Sequence, residues 1–173
     1  GDNMDIKVIF LDVDGVLNSP DDLMIYREKN NITGSILYDA VEDRALNLLK
    51  EIVENTGAKI VISSSWRTEY DDKEDNPDAN LYNKLKYRLK DYDMEIYDVT
   101  PFIRKTDTHR GDEIRAWLSK NPVQNFVILD DDSDMREFLH TEHFIKTTYK
   151  HGLTEELKNK AITVLNERKG MII

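Results

Sequence analysis

Asp12 and Asp14 close an apolar run, Val8-Ile9-Phe10-Leu11, and Gly15 follows them. Such a run bounded by a turn residue reads as a strand buried on both faces. Charges at its tip are costly to bury unless a ligand there uses them. On an extended backbone residues two apart leave on the same side, so the two carboxylates converge. That pair suits a hard cation such as Mg²⁺, which takes oxygen ligands, and Gly15 lets the chain turn away without a Cβ. The competing reading is a polar turn with Asp12 as a helix cap. Two later apolar runs end in the same manner. Lys59–Ile62 runs into Ser63-Ser64-Ser65-Trp66-Arg67, and Asn125–Leu129 into Asp130-Asp131-Asp132-Ser133-Asp134. In a parallel α/β sheet these tips share one edge, where open sheets bind ligands. Their convergence is a stronger indication of phosphate chemistry than any one of them.

The elements that must position these residues follow from periodicity. Residues 19–38 are mixed and polar, with Asn30-Asn31 and Gly34 as breakers, and read as a flap over the site. Asp39 starts a helix with Glu42 in capping-box position. Its apolar stripe is Val41, Ala45, Leu48, Leu49 and Ile52, and Asn55-Thr56-Gly57 ends it. The acidic stretch from Glu69 to Asp78, which contains Pro77, reads as a solvated loop. Leu81, Leu85, Leu89 and Tyr92 mark a second amphipathic helix. Met94–Val99 reads as an edge strand. Gly111–Lys120 forms a helix on Ile114, Trp117 and Leu118, stopped by Asn121-Pro122. A short helix to about His140, a strand at Phe144-Ile145 and a last helix on Leu157, Ala161, Val164 and Leu165 complete the chain. Strands alternating with helices predict a three-layer, Rossmann-like α/β fold: a parallel five-stranded sheet with helices on both faces. No repeat or linker divides residues 1–173, so a single domain is expected.

The 173 residues suffice for one domain with a proper core. The formal charge of −10 means that the surface does not attract polyanions at long range, so tight non-specific nucleic-acid binding is not expected. The absence of Cys excludes disulfides and thiolate metal sites. No apolar run approaches the ~20 residues that span a bilayer, and Gly1-Asp2-Asn3-Met4 does not resemble a signal peptide. The expectation is a cytoplasmic protein with no membrane partner.

Asp12-Val13-Asp14-Gly15-Val16-Leu17-Asn18, Ser63, Arg110 and Asp130-Asp131 resemble, in order, the four motifs of the haloacid dehalogenase (HAD) phosphotransferase superfamily. The resemblance extends from about residue 7 to residue 135. The Ser-Ser-Ser-Trp-Arg run, Asp130-Asp131 and Gly152-Leu153-Thr154 are similar to the HAD domains of RNA-repair proteins and to the 3′-phosphatase half of polynucleotide kinases. The intervals between the motifs leave no room for a large cap domain, and an uncapped, open site suits a large substrate.

The resemblance implies a Mg²⁺-dependent phosphomonoester hydrolase. Asp12 would be the nucleophile that forms an aspartyl-phosphate, and Asp14 the general acid and then base. Asp12, Asp14 (through its backbone carbonyl), Asp130 and Asp131 would hold the metal, with Asp130 paired to Asp134 as the other register. Ser63, with Ser64 as fallback, would bind phosphoryl oxygens. Arg110 would be the fixed cation, a position where members more often carry Lys, and Arg104 and Lys105 are its rivals in sequence. Trp66 could stack a base and Arg67 hold a second phosphate, or Trp66 packs against the sheet. His109, His140, His143 and His151 show no ligand spacing. The expected substrate is a nucleotide or nucleic-acid 3′-phosphate end. A small-molecule phosphatase or nucleotidase, a protein phosphatase and a non-catalytic binding module are the alternatives; a dehalogenase would lack the second Asp.

Overall fold

The computed structural model of the protein describes residues 5–33, 41–69, 75–77, 79–103 and 105–167. In chain order its regular elements are β1 (Lys7–Leu11), α1 (Pro20–Lys29), α2 (Asp43–Thr56), β2 (Lys59–Ile62), α3 (Leu81–Lys90), β3 (Ile96–Val99), α4 (Arg110–Lys120), β4 (Asn125–Asp130), β5 (Phe144–Lys146) and α5 (Glu155–Asn166). The five strands form one all-parallel sheet in the order β3-β2-β1-β4-β5. The chain moves outward from β1 to β3 and then returns to β4 on the other side of β1. The order therefore reverses between β1 and β4, the position at which such sheets open a crevice.

β1 is covered on both faces, which is why its sequence is continuously apolar. Ile9 and Leu11 pack with Leu46, Leu49 and Ile52 of α2, Leu85 and Leu89 of α3, and Ala161 and Leu165 of α5. Val8 and Phe10 face the opposite layer, with Ile114, Trp117 and Leu118 of α4. Phe10 meets Trp117 and Phe126 edge to face, at 5.4 and 5.8 Å between centroids. The expected three-layer α/β architecture is thus the observed one, and the described residues between the strands form no cap fold.

Three local expectations need correction. The stretch after β1 is not simply a flap, because α1 occupies Pro20–Lys29. Its start carries ordinary capping signals: Asp22 N–H donates to Ser19 Oγ at 3.1 Å, Pro20 opens the first turn, and Asp21 and Asp22 favour the dipole. Helical periodicity missed it because Leu23, Met24, Ile25 and Tyr26 are consecutive and make no stripe; Met24 and Ile25 are over 60% exposed. The helix expected before His140 is a 3₁₀ turn, Arg136–Phe138. Met94 and Glu95 precede β3 instead of lying in it, although β3 is an edge strand as expected. α2 begins at Asp43 with Glu42 as its N-cap, and the expected start at Asp39 lies outside the described residues, as do Gly34 and most of the 69–78 loop.

Candidate active site

Strand register brings the polar tips together. Leu11 is paired with Ile62 on one side and Leu129 on the other. One residue further, Asp12 therefore stands between Ser63 and Asp130, with neighbouring strands ~4.8 Å apart. The ladder continues through this point: Asp12 N–H donates to Leu129 O at 3.0 Å, and Ser63 N–H to Leu11 O at 2.8 Å. Asp131 reaches the same place across Gly15. A Cβ built on Gly15 would lie 2.3 Å from Asp131 Oδ2, and Gly15 has φ +78°, so any side chain here would displace that carboxylate.

Carboxylate oxygens of Asp12, Asp130 and Asp131 lie within 4.8 Å of one another. Asp130 is buried, and burial together with the charge of Asp12 pushes its carboxyl up to about 9. Burial likewise raises Asp12 to about 6, against an opposing pull from Arg110, and raises Asp131. Burial is the largest cause in all three, and for Asp130 the charge of Asp12 adds to it. An all-oxygen donor set of this kind fits Mg²⁺. Asp134, the alternative partner of Asp130, is engaged elsewhere: its carboxylate accepts from Arg110 N–H at 3.0 Å and its carbonyl from Gly111 N–H at 3.0 Å.

A pH dependence of stability follows. The native state keeps protons on Asp130 and Asp12 above the ordinary carboxylate value of 3.8. The unfolded chain releases them, so the metal-free fold loses stability as pH rises from about 4, through about 6 for Asp12 and about 9 for Asp130. In chelator, the melting temperature at pH 8.5 is expected to lie roughly 5 °C or more below that at pH 5.5. Millimolar Mg²⁺ is expected to recover the difference mainly at the higher pH. Melts that respond to neither pH nor Mg²⁺ would remove the metal site.

Arg110 opens α4, and two contacts anchor that helix end to the loop after β4. Besides the Asp134 bonds, Gly111 abuts Met135 so closely that a Cβ would stand 2.3 Å from Met135 O. The guanidinium of Arg110 lies 3.9 Å from Asp130 Oδ2 and 3.5 Å from Glu113 Oε1. Arg104 lies outside the described residues. The Ser63 hydroxyl is buried and has no hydrogen-bond partner among the described residues, an orphan acceptor-donor beside Asp12 that a phosphoryl oxygen would satisfy. Ser64 is different: its Oγ accepts from Trp66 N–H at 3.2 Å and so supports the following turn.

Of the two readings of Trp66, packing against the sheet is the one its burial fits, and Arg67 is turned inward as well. They lie in a 3₁₀ turn, Ser65–Glu69, and are 3% and 4% exposed, leaving no indole face for a base to stack on. Trp66 Nε1–H instead donates to Asp14 Oδ2 at 3.0 Å. Arg67 pairs with Glu113 Oε1 at 2.7 Å and donates to the carbonyls of Thr100 at 3.1 Å, Ser64 at 2.5 Å and Pro101 at 3.4 Å. Its guanidinium is consumed by the protein, and it ties the Ser63 loop to the Arg110 helix.

Two further residues belong here to which motif reading gave no role. Asn18 donates to Asp14 Oδ1 at 3.1 Å and accepts from Gly15 N–H at 3.1 Å, bracing the turn that carries Asp14. Glu113, buried, faces both Arg67 and Arg110 and accepts from Ile103 N–H at 3.0 Å. Its i, i+3 spacing from Arg110 on a helix was a usable signal. The histidines stay outside the carboxylate group: His109 caps α4, His143 stacks on Phe126, and His151 pairs with Asp21. No helix among the described residues is long and apolar enough to cross a membrane.

The family model described as "HAD domain in Swiss Army Knife RNA repair proteins" matches residues 8–157, from β1 into α5. No curated protein and no solved structure gave a match. With most of its length matched, from the Asp12 strand to the helix beyond Gly152-Leu153-Thr154, the chain belongs to the HAD domain family of Swiss Army Knife RNA repair proteins.

Proposed function

We propose that the protein is a Mg²⁺-dependent phosphomonoester hydrolase acting on the 3′-phosphate end of a nucleotide or nucleic acid. The observation that carries this reading is the convergence of Asp12, Asp130 and Asp131 beside an unpartnered Ser63 hydroxyl and the Arg110 guanidinium. Ser63 and Arg110 hold the phosphoryl oxygens, Arg110 as a charge-assisted donor. A carboxylate oxygen of Asp12 attacks phosphorus as the bond from phosphorus to the leaving oxygen breaks, and Asp14 gives that oxygen its proton. Asp14, now a carboxylate, takes a proton from water. The hydroxide so formed attacks phosphorus and the bond to Asp12 breaks, releasing inorganic phosphate and restoring both acids. Asp12, Asp130 and Asp131 would hold Mg²⁺, which when bound supplies the charge that offsets these carboxylates and the phosphoryl group.

Two observations support a nucleic-acid substrate. Phe102 and Tyr149 are 51% and 63% exposed, on the loops that leave the two edge strands β3 and β5. They flank the sheet edge that carries the acids, where exposed rings suit base stacking. The family's description names RNA repair proteins. The net charge of −10 favours the second reading, a phosphatase for small metabolites or free nucleotides, because long-range attraction of a polyanion is missing. Phosphate release from p-nitrophenyl phosphate, 3′- and 5′-nucleotides and 3′-phosphorylated oligonucleotides separates the two. Preference for the oligonucleotide is expected, with Tyr149→Ala raising its KM about 10-fold and leaving p-nitrophenyl phosphate unaffected. Preference for a small metabolite, insensitive to Tyr149, would establish the second reading, and no Mg²⁺-dependent release from any of them would point to a binding module.

A further inference from the structure

We infer that Trp66 is a positioning residue for the proton-transferring Asp14. The inference rests on the hydrolase reading above and gives Trp66 a role other than the base stacking weighed from the sequence.

Asp14 is an exposed side chain on the turn beyond β1, where a carboxylate left to itself samples several rotamers. It is held at both oxygens. Asn18 Nδ2–H donates to Oδ1 at 3.1 Å from within the same turn, and Trp66 Nε1–H donates to Oδ2 at 3.0 Å from the loop after β2. The two anchors differ in kind. Asn18 belongs to the turn it braces and would move with it. Trp66 is 3% exposed, packs into the same core cluster as Leu11 and Leu85, and has its own N–H on Ser64 Oγ. Its indole therefore refers the position of Asp14 to the core and to β2, the strand that Ser63 follows.

The chemistry of the group fits such a task. An indole N–H donates only and has no acid–base chemistry near neutral pH, so it orients the carboxyl without competing for the proton. Each carboxyl oxygen has two lone-pair sites, so these two N–H groups leave places for the proton that Asp14 carries. An orienting bond across two loops is what proton transfer to a leaving oxygen needs, because small displacements there cost large factors in rate.

The test compares leaving groups. p-Nitrophenolate departs without a proton, whereas an alkoxide such as a ribose oxygen needs one. Trp66→Phe is expected to lower kcat/KM about 10- to 100-fold for a nucleoside 3′-phosphate and less than about 3-fold for p-nitrophenyl phosphate, because kcat/KM reports the step in which the leaving group departs and not the later hydrolysis of the aspartyl-phosphate that both substrates share. In an Asp14→Asn background the same substitution is expected to change neither rate. Benzothienylalanine placed at position 66 keeps the indole shape without its N–H and is expected to reproduce the Phe result, which separates the hydrogen bond from packing. Equal losses of kcat/KM for both leaving groups, losses that multiply with Asp14→Asn, or full activity with benzothienylalanine would overturn the inference while the hydrolase reading stands. The hydrolase reading fails separately, and takes this inference with it, if the wild type releases no phosphate or if Asp12→Asn releases it at the wild-type rate.

Discussion

Asp12→Asn is expected to abolish phosphate release, by on the order of 10⁴-fold or more, without unfolding the protein. Removing a nucleophile eliminates the covalent route. The substitution conserves volume and keeps the backbone N–H of residue 12 on Leu129 O, which binds the strand tip to β4. Stability should change in the opposite direction from activity. The charge of Asp12 is, after burial, the main reason that Asp130 holds its proton up to about 9. An amide at position 12 carries no charge, so the metal-free variant is expected to melt at or above the wild-type temperature at pH 8, while its gain on adding Mg²⁺ shrinks. Steady-state phosphate release and a pair of thermal melts test both halves. Hydrolysis at the wild-type rate would sink the aspartyl-phosphate mechanism, and a fall in melting temperature of the metal-free variant would contradict the account of crowded like charges.

Arg67→Met is expected to destabilise the fold by about 3 kcal/mol, since it leaves a buried carboxylate short of its partner. The side chains of Arg67 and Glu113 are 2% and 8% exposed and 2.7 Å apart. Arg110, at 3.5 Å, remains to neutralise Glu113 in part, which keeps the loss at the lower end of the range for broken buried pairs. For a chain of this size the melting temperature should fall by roughly 10 °C. The double variant Arg67→Met/Glu113→Gln removes the stranded charge as well and should recover part of the loss. A substrate-binding Arg67 would behave differently, with KM rising and the melting temperature unmoved. Denaturation of the single and double variants beside their KM values decides between these roles.

The strand cores and the order of the motifs were legible in the chain because both depend on local pattern. β1, β2 and β4 are continuous apolar runs since a central parallel strand is covered on both faces, and their polar ends were visible as abrupt changes of residue type. That Asp12, Ser63 and Asp130 become neighbours follows from parallel register alone. α1 escaped because a helix with little buried surface has no stripe to read, although Ser19-Pro20-Asp21-Asp22 announced its start. Trp66 and Trp117 looked alike in the sequence, each following an apolar run or lying in an apolar stripe. Folding sends one indole N–H to Asp14 and the other to Asp98. Arg67 and Arg110 differ in the same manner: both are cations near a motif, but one is enclosed by carbonyls and Glu113, and the other keeps a fifth of its side chain exposed beside Asp130. Residue type declares what a side chain can donate or accept, whereas the partner that receives it is set by contacts between segments far apart in the chain. For that reason the chemistry of this edge could be read residue by residue, and the assignment of Trp66 to Asp14 could not.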